Sequence, residues 1–364
     1  MPSAGNRAVI AAAGSRKTQL IIEAALADPS QRVLITTYTQ ENLAQIRRRL
    51  IEVAGVIPGH ITTITWFQFL IRQGAKPFQV CVTGKIDHIR SLNFNGQRPR
   101  FARRDKPHAY YLDRNGDMYR DGVSDFVCCA DSASGGAVMR RLEAMYDHIY
   151  IDEFQDLVGY DLDFVAKLFG SSISVTVVGD PRQHTLATNN GPRNKKYRGA
   201  GILDWLQRRQ AVCTVEMRTE SWRCHQLICD WSDRLYPEMP TTMSRNLVET
   251  GHDGIFKIAE DAVPAYVAKY SPQVLRDWVR TPTLGLSALN IGVSKGSTYD
   301  RVLIFPTKPM LTYLRTADLS GLKAPTGSTL PSREPGTASH SWSRQTTPTT
   351  GSSRDPEGPL GDPR

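Results

Sequence analysis

The run Tyr150-Ile151-Asp152-Glu153-Phe154-Gln155-Asp156 decides the fold. A short apolar strand, Ile149 to Ile151, delivers adjacent carboxylates at its end. In a nucleotide site the first carboxylate can hold Mg²⁺ through water, and the second can orient and deprotonate an attacking water. The plain alternative is a solvated acidic loop, but a buried strand leading into D-E-x-Q-D argues against it.

Working outward, Ser174 to Val178 is a second strand, ending in Gly179-Asp180-Pro181-Arg182-Gln183. A Gln at this point can hydrogen-bond a γ-phosphate, although taken alone it reads more readily as a polar turn. Upstream, Arg7 to Ala13 is small and apolar, and Ala11-Ala12-Ala13-Gly14-Ser15-Arg16-Lys17-Thr18 leads into helical spacing from Gln19 to Ala27. Small residues let backbone N–H groups approach phosphate oxygens. A Lys then reaches the β/γ-phosphates, and a Ser/Thr hydroxyl meets Mg²⁺ at the helix start. Ala11 and Arg16 stand where the strict loop pattern has glycine. Arg32 to Thr37 and Ile61 to Trp66 are further β-rich runs, with a predicted helix from Glu41 to Val53 between them. Strands alternating with helices predict an α/β fold with a parallel sheet.

Residues 75–137 lack long periodicity and read as an insertion into a first domain spanning 1–199. A second α/β region, 200–323, carries a predicted helix from Arg223 to Tyr236 and late strands at Thr283 to Leu286 and Arg301 to Phe305. Lys plus Arg exceed Asp plus Glu by 45 to 36, a surplus of +9 that permits a polyanionic partner. Of the 41 residues from Ala324 to Arg364, 26 are Pro, Gly, Ser or Thr, so this tail is expected to be disordered. It is charge-balanced, which leaves the positive surplus in residues 1–323. No apolar stretch is long enough to span a membrane, and the N-terminus lacks a signal-peptide core. Six cysteines without a C-x-x-C pair are expected to be reduced thiols of a cytoplasmic protein.

The order of these elements resembles that of the superfamily I DNA helicases of the UvrD/Rep type. Thr36-Thr37-Tyr38-Thr39 with the following helix is similar to that family's motif Ia, and Thr63-Ile64-Thr65-Trp66-Phe67 to motif Ib. Asp152 to Asp156 is similar to motif II, and Gly179 to Gln183 to motif III. Ser221-Trp222-Arg223 is similar to motif IV, and Ser294-Lys295-Gly296 with Tyr299-Asp300 to motif V. The resemblance implies two RecA-like P-loop NTPase domains, the second incomplete, with ATP and Mg²⁺ bound between them. Ala13, Gly14, Ser15, Arg16, Lys17 and Thr18 would then cradle phosphates, with Thr18 and Asp152 on Mg²⁺. Glu153 would be the general base, Gln183 the γ-phosphate sensor and Arg223 an arginine finger. Trp222 would stack on adenine. For Trp222 core packing is the alternative, and for Arg223 a surface ion pair.

The resemblance also implies single-stranded or partly duplex DNA as partner, with 3′ to 5′ translocation. Thr37, Thr65, Ser294 and Lys295 would meet phosphates, and Trp66 or Phe67 would stack on bases. Core packing is the even alternative for those rings. The basic runs Arg47 to Arg49, Arg98 to Arg104 and Lys195 to Arg198 would track a backbone.

The sequence departs from the family at Arg16, at Ala12 and at Thr298, which stands where motif V has Glu. The string of motif VI is absent. The dipeptides from Ser328 to Trp342 permit a shifted reading frame Y-V-A-L-T-R-A-R-H-S-V-T-F-V, so a frameshift between about Ala324 and Ser328 and a genuine linker both stay open. A non-hydrolysing ATP- or DNA-binding remnant and a non-helicase P-loop NTPase are the rival readings.

Overall fold

A computed structural model describes residues 5–184, 187–189, 191–294, 297, 299–318 and 338–342. The chain forms two compact units. The first holds Met1–Ile10, Lys17–Pro181 and Leu186–Met217, and the second holds Ala11–Arg16, Arg182–Thr185 and Arg218–Arg364.

The first unit opens with β1 (Arg7–Ala11), α1 (Lys17–Leu26), β2 (Val33–Thr37), α2 (Gln40–Ala54) and β3 (Ile61–Thr65). Thr39 caps α2 by accepting from the Asn42 N–H, and Gly55 ends that helix in the left-handed region. Then come α3 (Trp66–Phe69), α4 (Lys76–Thr83), β4 (Leu92–Asn93), α5 (Pro107–Tyr111), β5 (Met118–Tyr119), α6 (Val123–Ala133) and α7 (Ala137–Met145). The unit closes with β6 (His148–Ile151), α8 (Tyr160–Phe169), β7 (Ser174–Gly179), α9 (Ile202–Gln207) and β8 (Thr214–Arg218).

Six strands make one sheet in the order β3-β2-β6-β7-β1-β8. The pairings β3/β2, β2/β6, β6/β7 and β7/β1 are all parallel. Val9, Ile10, Leu34, Ile35, Ile149, Ile151, Val175 and Val177 are buried. Such near-continuous apolar runs suit a parallel sheet covered on both faces. The register sets Thr37 opposite Thr65, Thr36 opposite Ile151, Ile151 opposite Val177 and Ile10 opposite Gly179. The carboxyl ends of five strands, β3, β2, β6, β7 and β1, therefore line up along one edge, the edge at which open α/β sheets take ligands.

Two expectations are corrected here. The first domain does not end at 199: α9 and β8 belong to the first unit, because β8 completes its sheet beside β1. Residues 75–137 are also less irregular than their composition suggests. They contain α6, whose Val123, Phe126, Val127 and Ala130 are fully buried.

The second unit carries β9 (Glu220–Ser221), α10 (Gln226–Arg234), β10 (Met243–Ser244), β11 (Gly254–Ile258), α11 (Val263–Tyr270), β12 (Gln273–Arg276), β13 (Leu289–Asn290), β14 (Arg301–Phe305), α12 (Lys308–Thr316) and β15 (Ala338–Trp342). Its five-stranded sheet runs β11-β15-β14-β12-β13, with every pairing parallel. Leu303 and Phe305 pack with Val263 and Tyr266 of α11, while Val302 and Ile304 pack with Met310 and Tyr313 of α12. The period-two alternation of β14 thus feeds two apolar layers.

Thr283 to Leu286 is a turn and not the expected strand. Leu284 and Gly285 take positive φ, and the Leu286 N–H donates to the Thr283 carbonyl. Of the tail 324–364, Ala338–Trp342 form β15, and the remainder, including 328–337 of the shifted-frame stretch, lies outside the described residues. Among the described residues no helix is long and apolar enough to cross a membrane.

Candidate nucleotide and nucleic-acid site

In the first unit the end of β6 is wired by hydrogen bonds. The Asp152 N–H donates to the Thr36 carbonyl at 2.9 Å, continuing the sheet one residue beyond the strand. Asp152 is buried, and its Oδ1 accepts from the Glu153 N–H at 2.9 Å. Glu153 takes φ 57°, a left-handed conformation that costs a non-glycine residue about 1–2 kcal/mol. That turn brings the half-buried Glu153 carboxylate to Gln155, whose Nε2 donates to Glu153 Oε2. Gln155 Oε1 in turn accepts from the Asp180 N–H at 3.0 Å. One buried amide therefore ties the two strand-end acids to each other's loops. Gly179 allows this approach, because a Cβ there would collide with Gln155 Oε1. Sequence reasoning names Asp152 and Glu153 and gives Gln155 no role. Its place in D-E-x-Q-D, before a second strand ending in G-D, was the available sign.

Lys17 and Thr18 open α1, both half-exposed. Residues Ala11–Arg16 pack instead with the second unit. The Ala12 N–H donates to the Arg218 carbonyl at 3.0 Å, and the Trp222 N–H donates to the Gly14 carbonyl at 2.9 Å. Gly14 takes φ 75°, and a Cβ there would lie 2.5 Å from Arg223 Cβ, so both conformation and space demand glycine. Ala13 and Ser15 are buried, and Ser15 Oγ has no hydrogen-bond partner. Buried hydroxyls are rarely left so, and this one fits an anion's oxygen.

Arg16 takes φ 59°, and its guanidinium carbon sits 4.1 Å from the centroid of the Trp222 ring. The left-handed backbone costs about 1–2 kcal/mol, and a cation–π contact at an exposed site returns about 0.5–1 kcal/mol. Trp222 remains 46% exposed, so it is not a core residue. Arg223 is half-buried, with its Cβ against Gly14. Gln183 is half-exposed in the 3₁₀ turn that follows β7. The neighbouring Arg182 is buried, 3.4 Å from Asp233 Oδ1 of α10, and its carbonyl accepts from the Tyr236 hydroxyl.

The expected DNA contacts fare differently. Trp66 is fully buried: its Nε1 donates to Asp161 Oδ1 at 2.7 Å, and its ring meets Phe69 and Phe164. Phe67 is buried edge-on against Tyr38. Neither ring is presented for base stacking. Burial pushes the Asp161 carboxyl above its usual range despite donors from Ser124, Thr188 and Trp66, which marks this cluster as core. Thr65 and Thr37 are buried, Thr37 Oγ1 without a hydrogen-bond partner. Ser294 is buried and donates to the Ile291 carbonyl at 2.9 Å, which leaves its hydroxyl proton engaged. Lys295, Gly296 and Thr298 lie outside the described residues.

Two surface groups were not foreseen. Phe94, 48% exposed, lies 6.5 Å from the Tyr38 ring, with the Arg120 guanidinium 5.2 Å from its own centroid. Farther on, Arg98 lies over Tyr110 at 3.9 Å, Arg104 lies near both Tyr110 and Tyr160, and Arg193 lies 5.4 Å from Tyr160. This ladder links the basic run Arg98 to Arg104 with Arg193, all in the first unit. Arg104 and Arg193 are held in place by Asp125 and Asp163.

The first unit is thus an α/β unit whose parallel sheet carries paired acids at the end of β6. Residues 111–186 match the family described as the UvrD/REP helicase N-terminal domain. That stretch contains β6, Asp152, Glu153, β7, Asp180 and Gln183. No curated protein matches the chain. Among solved structures the chain is similar to Arterivirus nonstructural protein 10, a helicase, at 12% identity over 93% of this chain and 59% of that one, with a TM-score of 0.48. The complex of that helicase with DNA aligns at 13% identity over 94% of this chain and 61% of that one, with a TM-score of 0.47. The chain spans less than two thirds of the length of either.

Proposed function

We propose that this chain is an ATP-hydrolysing DNA translocase of the superfamily I helicase type, moving 3′ to 5′ on a single strand. The observation that carries the reading is the wired acid pair at the end of β6, within the segment that matches the helicase family.

Glu153, turned out by its left-handed backbone and held by Gln155, takes the proton of the attacking water. Asp152 and the Thr18 hydroxyl offer the hard oxygen ligands that suit Mg²⁺, which when bound supplies positive charge to the phosphate oxygens. Lys17, the Ser15 hydroxyl and the main-chain N–H groups at the start of α1 bind phosphate. Gln183 reads the γ-phosphate, Arg223 neutralises charge developing on the transferred group, and the open face of Trp222 takes the base. In the first unit, Phe94 with Arg120, and the Arg98–Tyr110–Arg104–Tyr160–Arg193 ladder, replace Trp66 and Phe67 as the surface for a strand.

The test is ATP hydrolysis by the whole chain with and without single-stranded DNA, using Lys17→Ala as control. DNA-stimulated turnover that Lys17→Ala abolishes is expected. Nucleotide binding without turnover would favour the non-hydrolysing remnant, a reading that rests on the strained Arg16. Turnover indifferent to DNA would favour another P-loop NTPase.

A further inference from the structure

We infer that Arg16 is a positioning residue for the nucleotide base: it backs one face of Trp222 and leaves the other face for the base to stack on. The inference rests on the proposed ATP site and goes beyond it, because that reading would place glycine at this position.

Three observations converge. First, Arg16 holds φ 59° where glycine would be relaxed. A strained non-glycine persists when its surroundings over-determine it, and such strain gathers at ligand sites. Second, its guanidinium lies 4.1 Å from the Trp222 centroid, so the contact covers a face of the ring and does not merely touch its edge. Third, the loop is fastened to the same segment on either side of that contact. The Gly14 carbonyl accepts from the Trp222 N–H, Gly14 packs on Arg223, and the Ala12 N–H donates to Arg218. The Trp222 backbone is therefore fixed against the loop that carries Arg16. Trp222 stays 46% exposed with Arg16 in place, so surface remains on it for a planar base. The site becomes a two-layer stack, cation on indole, built before the nucleotide arrives. Preorganisation of this kind raises affinity by lowering the ordering cost of binding. A bicyclic purine covers more of the indole than a pyrimidine, so the stack favours ATP over CTP.

The experiment is titration of the full chain with fluorescent, non-hydrolysable ATP and CTP analogues in Mg²⁺, comparing wild type with Arg16→Gly, Arg16→Lys and Trp222→Ala. Thermal melts confirm that each variant is folded. Arg16→Gly removes the backbone strain and the backing cation together. It is expected to weaken binding of the ATP analogue about tenfold and to narrow the ATP-to-CTP preference. Arg16→Lys, which keeps a cation over the ring, recovers most of the loss. Arg16→Gly combined with Trp222→Ala binds no worse than Trp222→Ala alone, because the two residues act as one unit. Arg16→Gly binding as tightly as wild type or tighter, or losses that add in the double variant, overturns the inference. Wild-type protein that binds neither analogue overturns the ATP-site reading instead. In that case the Arg16–Trp222 contact is still read from the Trp222 contribution to emission, wild type minus Trp222→Phe, with and without Arg16→Gly.

Discussion

The acidic end of β6 and the phosphate loop after β1 each hold one non-glycine residue in the left-handed region, Glu153 and Arg16. The two are secured in different ways. Glu153 sits in a closed local circuit in which Asp152 takes its N–H and Gln155 holds its carboxylate. The partner that fixes Gln155, the Asp180 N–H, is one strand away in the same sheet. Arg16 is held by a residue far along the chain, Trp222, through a ring contact and not a hydrogen-bond circuit. The first arrangement is rigid and belongs to the sheet. The second can be loosened by changing one distant side chain. The proposed general base lies in the first, and the proposed base-stacking pair in the second.

The largest expected effect tests how far the acidic end depends on its strand. His148 begins β6, stacks on Tyr150 and meets the Thr176 hydroxyl, and burial pulls its pKa down to about 4. The unfolded chain binds this proton below about pH 6.5, and the folded chain resists it until about pH 4. Stability from neutral His148 is therefore complete above pH 6.5 and is lost as pH falls toward 4, on the order of 3 kcal/mol in all. Urea melts from pH 7.5 to 4.5 should show this loss, and His148→Phe should flatten it. An unchanged pH slope in that variant would remove His148 from the account.

Next, Gln155→Ala cuts the circuit. Misplacing a catalytic group costs on the order of a hundredfold in rate, so kcat should fall by about that factor while KM for ATP stays put. A change in KM with kcat preserved would make Gln155 a ligand contact and not a positioning residue. Smaller again, Trp66→Phe deprives the buried Asp161 of a donor. It should cost about 2 kcal/mol of stability without altering DNA affinity. Weakened DNA binding in a protein of normal stability would restore Trp66 to the DNA path. The smallest effect expected is for Phe94→Ala, which should weaken single-strand binding about tenfold, within the range for one stacked base. Binding insensitive to that change would remove Phe94 from the surface.

Much of the first sheet was legible, because parallel strands covered on both faces write themselves as short β-branched runs and each is followed by a helix period. The place of the adjacent acids Asp152 and Glu153 at a strand end was legible for the same reason. What escaped was set by residues remote in sequence. The helix α6 contains Asp125 and Asp131, which break its apolar stripe on paper. In the fold they are buried against Arg104, Tyr111 and Lys167. Trp66 and Phe67 have the same spacing whether they pack or stack, and Asp161, distant in sequence, decides for packing. Thr283 to Leu286 read as a strand by composition, but Pro282 and Gly285 favour the turn that forms. The loop departure at Arg16 was visible in the sequence, but its contact with Trp222 was not.

In the proposed division of labour, the circuit at the end of β6 performs hydrolysis while other residues bind the nucleotide. Glu153→Gln, assayed for both in one preparation with saturating single-stranded DNA, tests it most directly. The account predicts nucleotide affinity within about threefold of wild type and turnover lowered by about 10²–10⁴, the range for loss of a general base. Turnover retained in Glu153→Gln, with affinity unchanged, would contradict it.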